Sequence, residues 1–281
     1  MTKNRKKDSL ANRMKTYENV TRIYLTLGCP KIVRLDMRAG HTFCRGLDVP
    51  FDKVFSECMI ETAIKLCEQI PGVVMAYTQS DEISLVINDT TKNGDISCFF
   101  EGNVEKIVSV SASIATLAFN KHYYELVQAM PLEEAKKYQR NIWKAQFDSR
   151  TYCLPNVTEV HNYILWRQQD ATRNSIQMVA HANFSDSEIK NKNSSELQEL
   201  LMIKKGINWN NFPSKFKRGC VVLKEQYTKD VTLPDGTKIT NIKRKRWVMT
   251  EIPILTKDLT FIPNAFKRYL LIDGKLCSSE S

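Results

Sequence analysis

The sequence has no apolar run near the ~20 residues a membrane-spanning helix needs, so no segment is expected to cross a bilayer. It has no CxxC motif. Its eight cysteines, at 29, 44, 58, 67, 98, 153, 220 and 277, are therefore expected as reduced thiols of a cytoplasmic protein rather than as a disulfide scaffold. Histidine is scarce, with four in 281 residues, and His122, His161 and His181 have no partner at metal-ligand spacing, which leaves them structural roles. Internal repeats and low-complexity tracts are absent. With 42% hydrophobic residues the chain can bury a core of one large domain or two small ones.

Basic charge is present and unevenly placed. Residues 1–15 carry a net +5, residues 16–200 a net −4 and residues 201–281 a net +9, for +10 in all. Basic ends around a mildly acidic middle suit a long polyanion such as RNA. The opening MTKNRKKDSLANRMK has no apolar segment of signal-peptide type and is expected to be a solvated arm that touches phosphate.

Periodicity gives an order of elements. KIVRLD (31–36) is a β-rich run, and Phe51, Phe55, Met59, Ala63, Leu66 and Ile70 recur at helical spacing before a Pro71-Gly72 stop. VVMAYT and ISLVI are strands joined through Gln79, Ser80, Asp81 and Glu82, a hairpin. A helix from about Val104 to Val127 follows its cap Asn103, and a strand near Arg150 to Leu154 stops at Pro155. The order βαββαβ is that of the ferredoxin-like α+β fold. A long helix then runs from Thr158, SSELQELLMIKK forms another that stops at Gly206, and the last 65 residues read as a β-ribbon turning at Pro234-Asp235-Gly236. The expected division is a core with its basic arm over 1–155 and a basic helical and ribbon part over 156–281, which can also form one continuous domain.

In such a unit the end of the first strand and the central hairpin lie side by side, so Asp36, Asp81 and Glu82 are expected to converge. Three carboxylates there repel one another unless a cation sits among them. Oxygen ligands suit Mg²⁺, and two such ions can clamp the attacking and leaving oxygens of a nucleotidyl transfer. Arg34 shares a strand face with Asp36 and can meet a triphosphate. The loop Met37, Arg38, Ala39, Gly40, His41 follows, with a glycine that admits an anion to the backbone N–H groups. A solvated Asp-Glu turn is the competing reading.

RLDMRAGHTF (34–43), YTQSDEISLVI (77–87), FDSR (147–150), WRQQDATRNS (166–175) and FKRG (216–219) together resemble the tRNA-histidine guanylyltransferase family over about residues 15–225. Details are closer to its guanylyltransferase-like branch, 3′-to-5′ polymerases that repair tRNA 5′ ends. The resemblance implies a polymerase-like palm in which Asp36, the carbonyl of Met37 and Asp81 hold two Mg²⁺ and Glu82 supports them. It implies ATP and GTP, or other nucleoside triphosphates, as substrates, with Arg34, Arg38, Ala39, Gly40, His41 and Ser80 as nucleotide contacts. It further implies tRNA as partner and a homotetramer. Arg173, Asn174, Lys217 and Arg218 are expected to bind RNA, as are Lys243, Arg244, Lys245 and Arg246, of which strand alternation lets at most half touch one backbone.

Three positions depart from the family pattern. Met37 stands where glycine is usual, and Val49 stands before Pro50 where lysine is usual. Thr172, Arg173, Asn174, Ser175 replaces the His-Ile-Asn-Asn of enzymes that add G to histidine tRNA, which favours template-directed repair. Non-templated G addition, a palm-fold nucleotide cyclase and a silent RNA-binding module are the alternatives. On the long helix, Trp166, Asp170 and Asn174 fall on one face, flanked by Arg167 and Arg173; a polar face with Arg173 paired to Asp170 or Gln177 is the plainer view.

Overall fold

The computed structural model describes residues 9–90, 94–232 and 237–272. The turn expected at 234–236, Cys277 and the first eight residues of the basic arm lie outside them. The first half comprises α1 (Leu10–Asn19), β1 (Lys31–Met37), α2 (Gly40–Cys44), α3 (Lys53–Gln69), the hairpin β2 (Val73–Gln79) and β3 (Glu82–Ile87), α4 (Val104–Ala129), α5 (Leu132–Gln139) and β4 (Phe147–Cys153). There follow α6 (Val157–His181), α7 (Asp186–Ile189), α8 (Ser194–Lys205), α9 (Ser214–Arg218), β5 (Cys220–Thr232), β6 (Lys238–Glu251) and α10 (Phe261–Ile272).

Strand order in the single sheet is β4-β1-β3-β2-β5-β6. Its first four strands pair antiparallel in the ferredoxin-like order that the sequence predicts. Alternation divides each strand between two faces. Val33, Leu35 and Met37 join Phe55, Leu66 and Phe119 in a core under α3 and α4, whereas Ile32 joins Val86, Ile164 and Ile262 in a second core under α6 and α10. The C-terminal half of α6 builds a third core with α8 around Val179, Leu201 and Trp209. Arg34 and Asp36 thus stand on the face that α6 only partly covers.

Caps fix where the helices begin. Asn103 Oδ1 accepts from Lys106 N at 2.9 Å to start α4, and Asn156 Oδ1 accepts from Glu159 N at 2.9 Å to start α6. Asp52, the cap of α3, accepts from Phe55 N (2.8 Å), Asp48 N (3.1 Å) and the Tyr138 hydroxyl (3.0 Å), tying α5 and the 48–52 loop to that helix start.

The structure corrects four readings. The β2-β3 turn is only Ser80 and Asp81, because Gln79 and Glu82 already pair. β4 starts at Phe147, so Asp148 and Arg150 stand opposite Asp36 and Arg34. The ribbon continues the main sheet, with Thr78 paired to Cys220 and Met75 to Leu223, and the chain then ends its described part in a helix, α10. Pro263 disguised that helix; it lies in the first turn, where a missing N–H costs no hydrogen bond. From Ser9 onward the expected arm is α1, capped by Ser9 and with no buried residue.

Candidate active site

Asp36 pairs with Glu82 across β1 and β3, which sets both carboxylates on the α6 face. Glu82 is buried and already partnered. Arg167 of α6 donates to it through Nε to Oε1 at 2.8 Å and through Nη2 to Oε2 at 2.7 Å, a two-bonded fork. Burial pushes the Glu82 carboxyl above its usual range, and Arg167 and Arg34 pull against that shift. Arg167 also reaches Asp170 at 2.9 Å, and Arg173 bonds the other Asp170 oxygen at 2.8 Å. Burial opposes ionisation of Asp170, but the bonds from Arg173 and Arg167 prevail and lower its pKa.

Arg34 is held loosely. Its Nη2 lies 3.4 Å from Asp36 Oδ2, and its buried Nε has no hydrogen bond, with Glu82 Oε2 at 3.6 Å. Spare guanidinium donors on a sheet face that α6 only partly covers suit phosphate oxygens.

Asp81 sits at the hairpin tip, where Met37 N donates to its backbone carbonyl at 3.0 Å and locks the turn to the end of β1. Burial raises the Asp81 pKa, and the negative charge of Asp36 adds to the rise. The loop after β1 is shaped around this carboxylate. A Cβ at Gly40 would collide with Asp81 Oδ2, so any side chain there must displace that carboxylate. The left-handed backbone conformation falls on Ala39 (φ 54°), which starts α2, and not on Met37, whose side chain is buried in the first core. Methionine at 37 therefore carries no glycine-type strain.

Among the described residues no three His, Cys, Asp or Glu side chains form a ready metal cage. With Glu82 taken by Arg167, the carboxylates left to hold a cation are Asp36 and Asp81. The expected reason for a metal thus narrows from three repelling carboxylates to two. These are hard oxygen donors, they repel each other, and Asp36 remains 30% exposed. Such a pair fits Mg²⁺, which uses one or two protein carboxylates and completes its shell with water and phosphate.

Beside Asp81 opens a cavity of about 700 Å³, walled by the 45–52 loop, α3, the end of β2 and α6. His41, Ser80 and Asn174 line it, and its other walls are largely apolar, including Val49, Phe51, Met59, Met178 and Phe216. Size and lining suit a nucleoside with a few polar contacts. Arg38 points elsewhere, its Nη1 bonded to Gln146 Oε1 at 2.9 Å.

The expected RNA contacts divide. Arg173 and Arg218 border a second groove of about 390 Å³ on the outer side of α6. Lys217 is buried instead, its ammonium bonded to the Asn210 carbonyl at 2.5 Å and lying over Trp209. On β6 all four cations are exposed, but Arg246 pairs with Glu225 at 2.5 Å and Lys245 bonds the Ile272 carbonyl at 2.5 Å. His122 and His181 neighbour Glu57 and Asp186, and His161 is buried with no bonded ring nitrogen. Arg167 escaped sequence reasoning as a site residue, since its spacing from Asp170 mirrors that of Arg173; its one signal was an arginine on the buried stripe of a helix.

The site thus combines a palm-like sheet, two adjacent carboxylates at its β1 end and a nucleoside-sized cavity. The model of the family described as Thg1: tRNAHis guanylyltransferase matches residues 11–155, which include Asp36, Asp81 and Glu82. The chain belongs to the tRNA-histidine guanylyltransferase family. It is therefore a nucleotidyltransferase. A bacterial tRNA(His) guanylyltransferase (Thg1)-like protein solved in complex with ATP superposes with a TM-score of 0.76 at 39% identity, over 92% of this chain and 98% of that one. The same kind of protein in complex with GTP gives 0.72 at 39% identity, over 92% and 99%. The tRNA(His) guanylyltransferase of Neurospora crassa is 27% identical over 275 residues, covering 86% of this chain and 89% of its own. Similarity thus extends past the matched 11–155 into the ribbon of this family member.

Proposed function

We propose that this guanylyltransferase-family chain is a template-dependent 3′-to-5′ polymerase that repairs 5′-truncated tRNA. The observation that carries the reading is the Asp36–Asp81 pair next to a nucleoside-sized cavity, bordered by α6, which presents Asn174 and Ser175 to that cavity and Thr172 and Arg173 to the outer groove.

Two displacements at phosphorus are needed. An oxygen of the RNA 5′-monophosphate attacks the α-phosphorus of ATP and pyrophosphate leaves, giving an adenylylated end. The 3′-hydroxyl of an incoming nucleoside triphosphate then attacks the RNA 5′ phosphorus, loses its proton to solvent, and AMP leaves. Asp36 and Asp81, with the Met37 carbonyl, would hold Mg²⁺, whose Lewis acidity stabilises charge on the attacking and leaving oxygens. Arg34 offers its guanidinium to the triphosphate, and Arg167 keeps Glu82 from competing for the same donors. His41, Ser80 and Asn174 orient the nucleotide at the cavity. The cavity accepts ATP and GTP alike, a reading supported by the two bound forms of the bacterial relative.

The histidine-tRNA motif is not kept on α6, which supports repair over dedicated G addition. We place the activity in the cytoplasm, a reading supported by seven free thiols among the described residues, and in a homotetramer, supported by the family resemblance and tested by light scattering. The deciding experiment mixes the protein with Mg²⁺, ATP, labelled GTP and a tRNA lacking its first nucleotide opposite C. Incorporation of one G at the 5′ end is expected. Formation of cyclic GMP, or binding without incorporation, would contradict the proposal.

A further inference from the structure

Trp166 is 48% exposed, a large aromatic ring left open on α6 next to Arg167. Its ring is nevertheless held on two sides. The Arg167 guanidinium lies over the indole at 4.5 Å, and Tyr163 meets its edge with centroids 6.0 Å apart. Tyr163 is fixed in turn by a 2.7 Å hydrogen bond with Ser84 and by an edge contact with Tyr152 of β4. From Tyr163 to Arg167, α6 advances from the Ser84 row to the Glu82 row, and Glu82 pairs with Asp36. An exposed, pre-set aromatic face therefore stands close to the carboxylate pair.

Its side of the site matters. Ala171, Asn174, Ser175 and Met178 turn toward the cavity, and Trp166 does not line it. By helical spacing Trp166 shares its side with Asp170 and Arg173. The sheet floor toward β4 carries Arg34 and its cross-strand partner Arg150, the latter half exposed and in an ion pair with Asp148 at 3.4 Å. In a displacement at phosphorus the attacking and leaving groups lie in line on opposite sides, so the two reactants need separate berths. The cavity serves the nucleotide. The Trp166 side, with an aromatic face and guanidinium groups below, serves the other reactant.

We infer that the Trp166 indole is the stacking platform for the 5′-terminal nucleobase of the RNA, with Arg150 beneath it for that nucleotide's phosphate. The inference rests on the proposed 3′-to-5′ addition to RNA. It assigns a base contact that none of the expected basic RNA-binding residues supplies, because stacking needs only a ring and tolerates every base, as repair of many tRNAs requires. Trp166 is on this account a substrate-positioning residue, not a metal or proton-transfer group.

The test uses the full chain with Mg²⁺ and a 5′-truncated tRNA whose 5′-terminal nucleotide is 2-aminopurine. Stacking on the indole quenches that fluorophore without any turnover, so the result stands apart from whether nucleotide is added. Wild-type protein and W166F are expected to quench it, and W166L is expected not to. In W166L the KM for RNA should rise about 5- to 150-fold, the range given by 1–3 kcal/mol per stacked base, with ATP affinity unchanged. Equal quenching by W166L overturns the inference. So does a W166L that loses kcat at unchanged RNA KM, or weakens ATP instead, since either means that the indole serves only to brace Arg167 or the nucleotide. If wild-type protein quenches but adds nothing to the truncated tRNA, the polymerase reading fails and the stacking assignment survives.

Discussion

Arg167 and Glu82, from α6 and β3, are joined by two parallel hydrogen bonds of 2.8 and 2.7 Å, and both side chains are almost fully buried. This pair pins the long helix to the sheet at the row that holds Asp36. It also removes Glu82 from direct competition for a cation.

Breaking that pair should be costly. Arg167→Met leaves a buried carboxylate with only Arg34 nearby, and the expected loss is about 3–5 kcal/mol, read from urea unfolding. Arg167→Lys keeps the charge but not the fork and should recover only part of it. A double replacement of Arg167 by Met and Glu82 by Leu should be more stable than Arg167→Met, because no buried charge is left unpaired. A single variant as stable as wild type would mean that the fork does not hold α6 in place.

Gly40→Ala tests the shape of the loop around Asp81. The added methyl must displace the Asp81 carboxylate or the start of α2. Nucleotide addition should fall by at least tenfold, with the Mg²⁺ requirement shifted to higher concentration, while tRNA retention on filters stays near wild type.

Asp36→Ala and Asp81→Ala should each abolish both adenylylation and nucleotide addition, because in the proposed mechanism both steps use one carboxylate pair. RNA binding should persist in each. Near wild-type turnover of either with Mg²⁺ would remove the pair from the chemistry.

Salt dependence separates the cations of the ribbon. All four from Lys243 to Arg246 are exposed, but Arg246 is paired with Glu225 and Lys245 with the Ile272 carbonyl. Charge reversal of Lys243 and Arg244, which alternation sends to opposite faces, should flatten the slope of log K for tRNA against log salt by about 1, at ~1 per phosphate contact. Reversal of Arg246 should change the slope less. Equal slopes in all variants would exclude the ribbon from the RNA surface.

Much of this architecture is written in local pattern. Alternation in KIVRLD separates Val33 and Leu35 from Arg34 and Asp36, Asn103 marks the start of α4, and SSELQELLMIKK is α8 from end to end. The closeness of Asp36 and Asp81 follows from strand order alone. What was not legible depends on distant partners. Nothing near Arg167 tells which carboxylate it will meet, nothing in Cys220–Leu223 says that it will pair with β2, and burial of Lys217 arises from the Asn210 carbonyl and Trp209 in the third core. Nor does the sequence tell that the left-handed residue of the loop is Ala39, two positions after Met37, which leaves position 37 open to methionine.

The central claim is that base pairing, not histidine-tRNA identity, selects the nucleotide. A Watson–Crick pair stacked on the acceptor stem holds the incoming 3′-hydroxyl in line with the activated phosphate, and an unpaired G gains no such positioning. Single-turnover rates at saturating enzyme, on substrates with the same 5′ activation, measure this directly. The account predicts faster addition to 5′-truncated tRNAs of several identities than of unpaired G to intact histidine tRNA; a clear preference for intact histidine tRNA would contradict it.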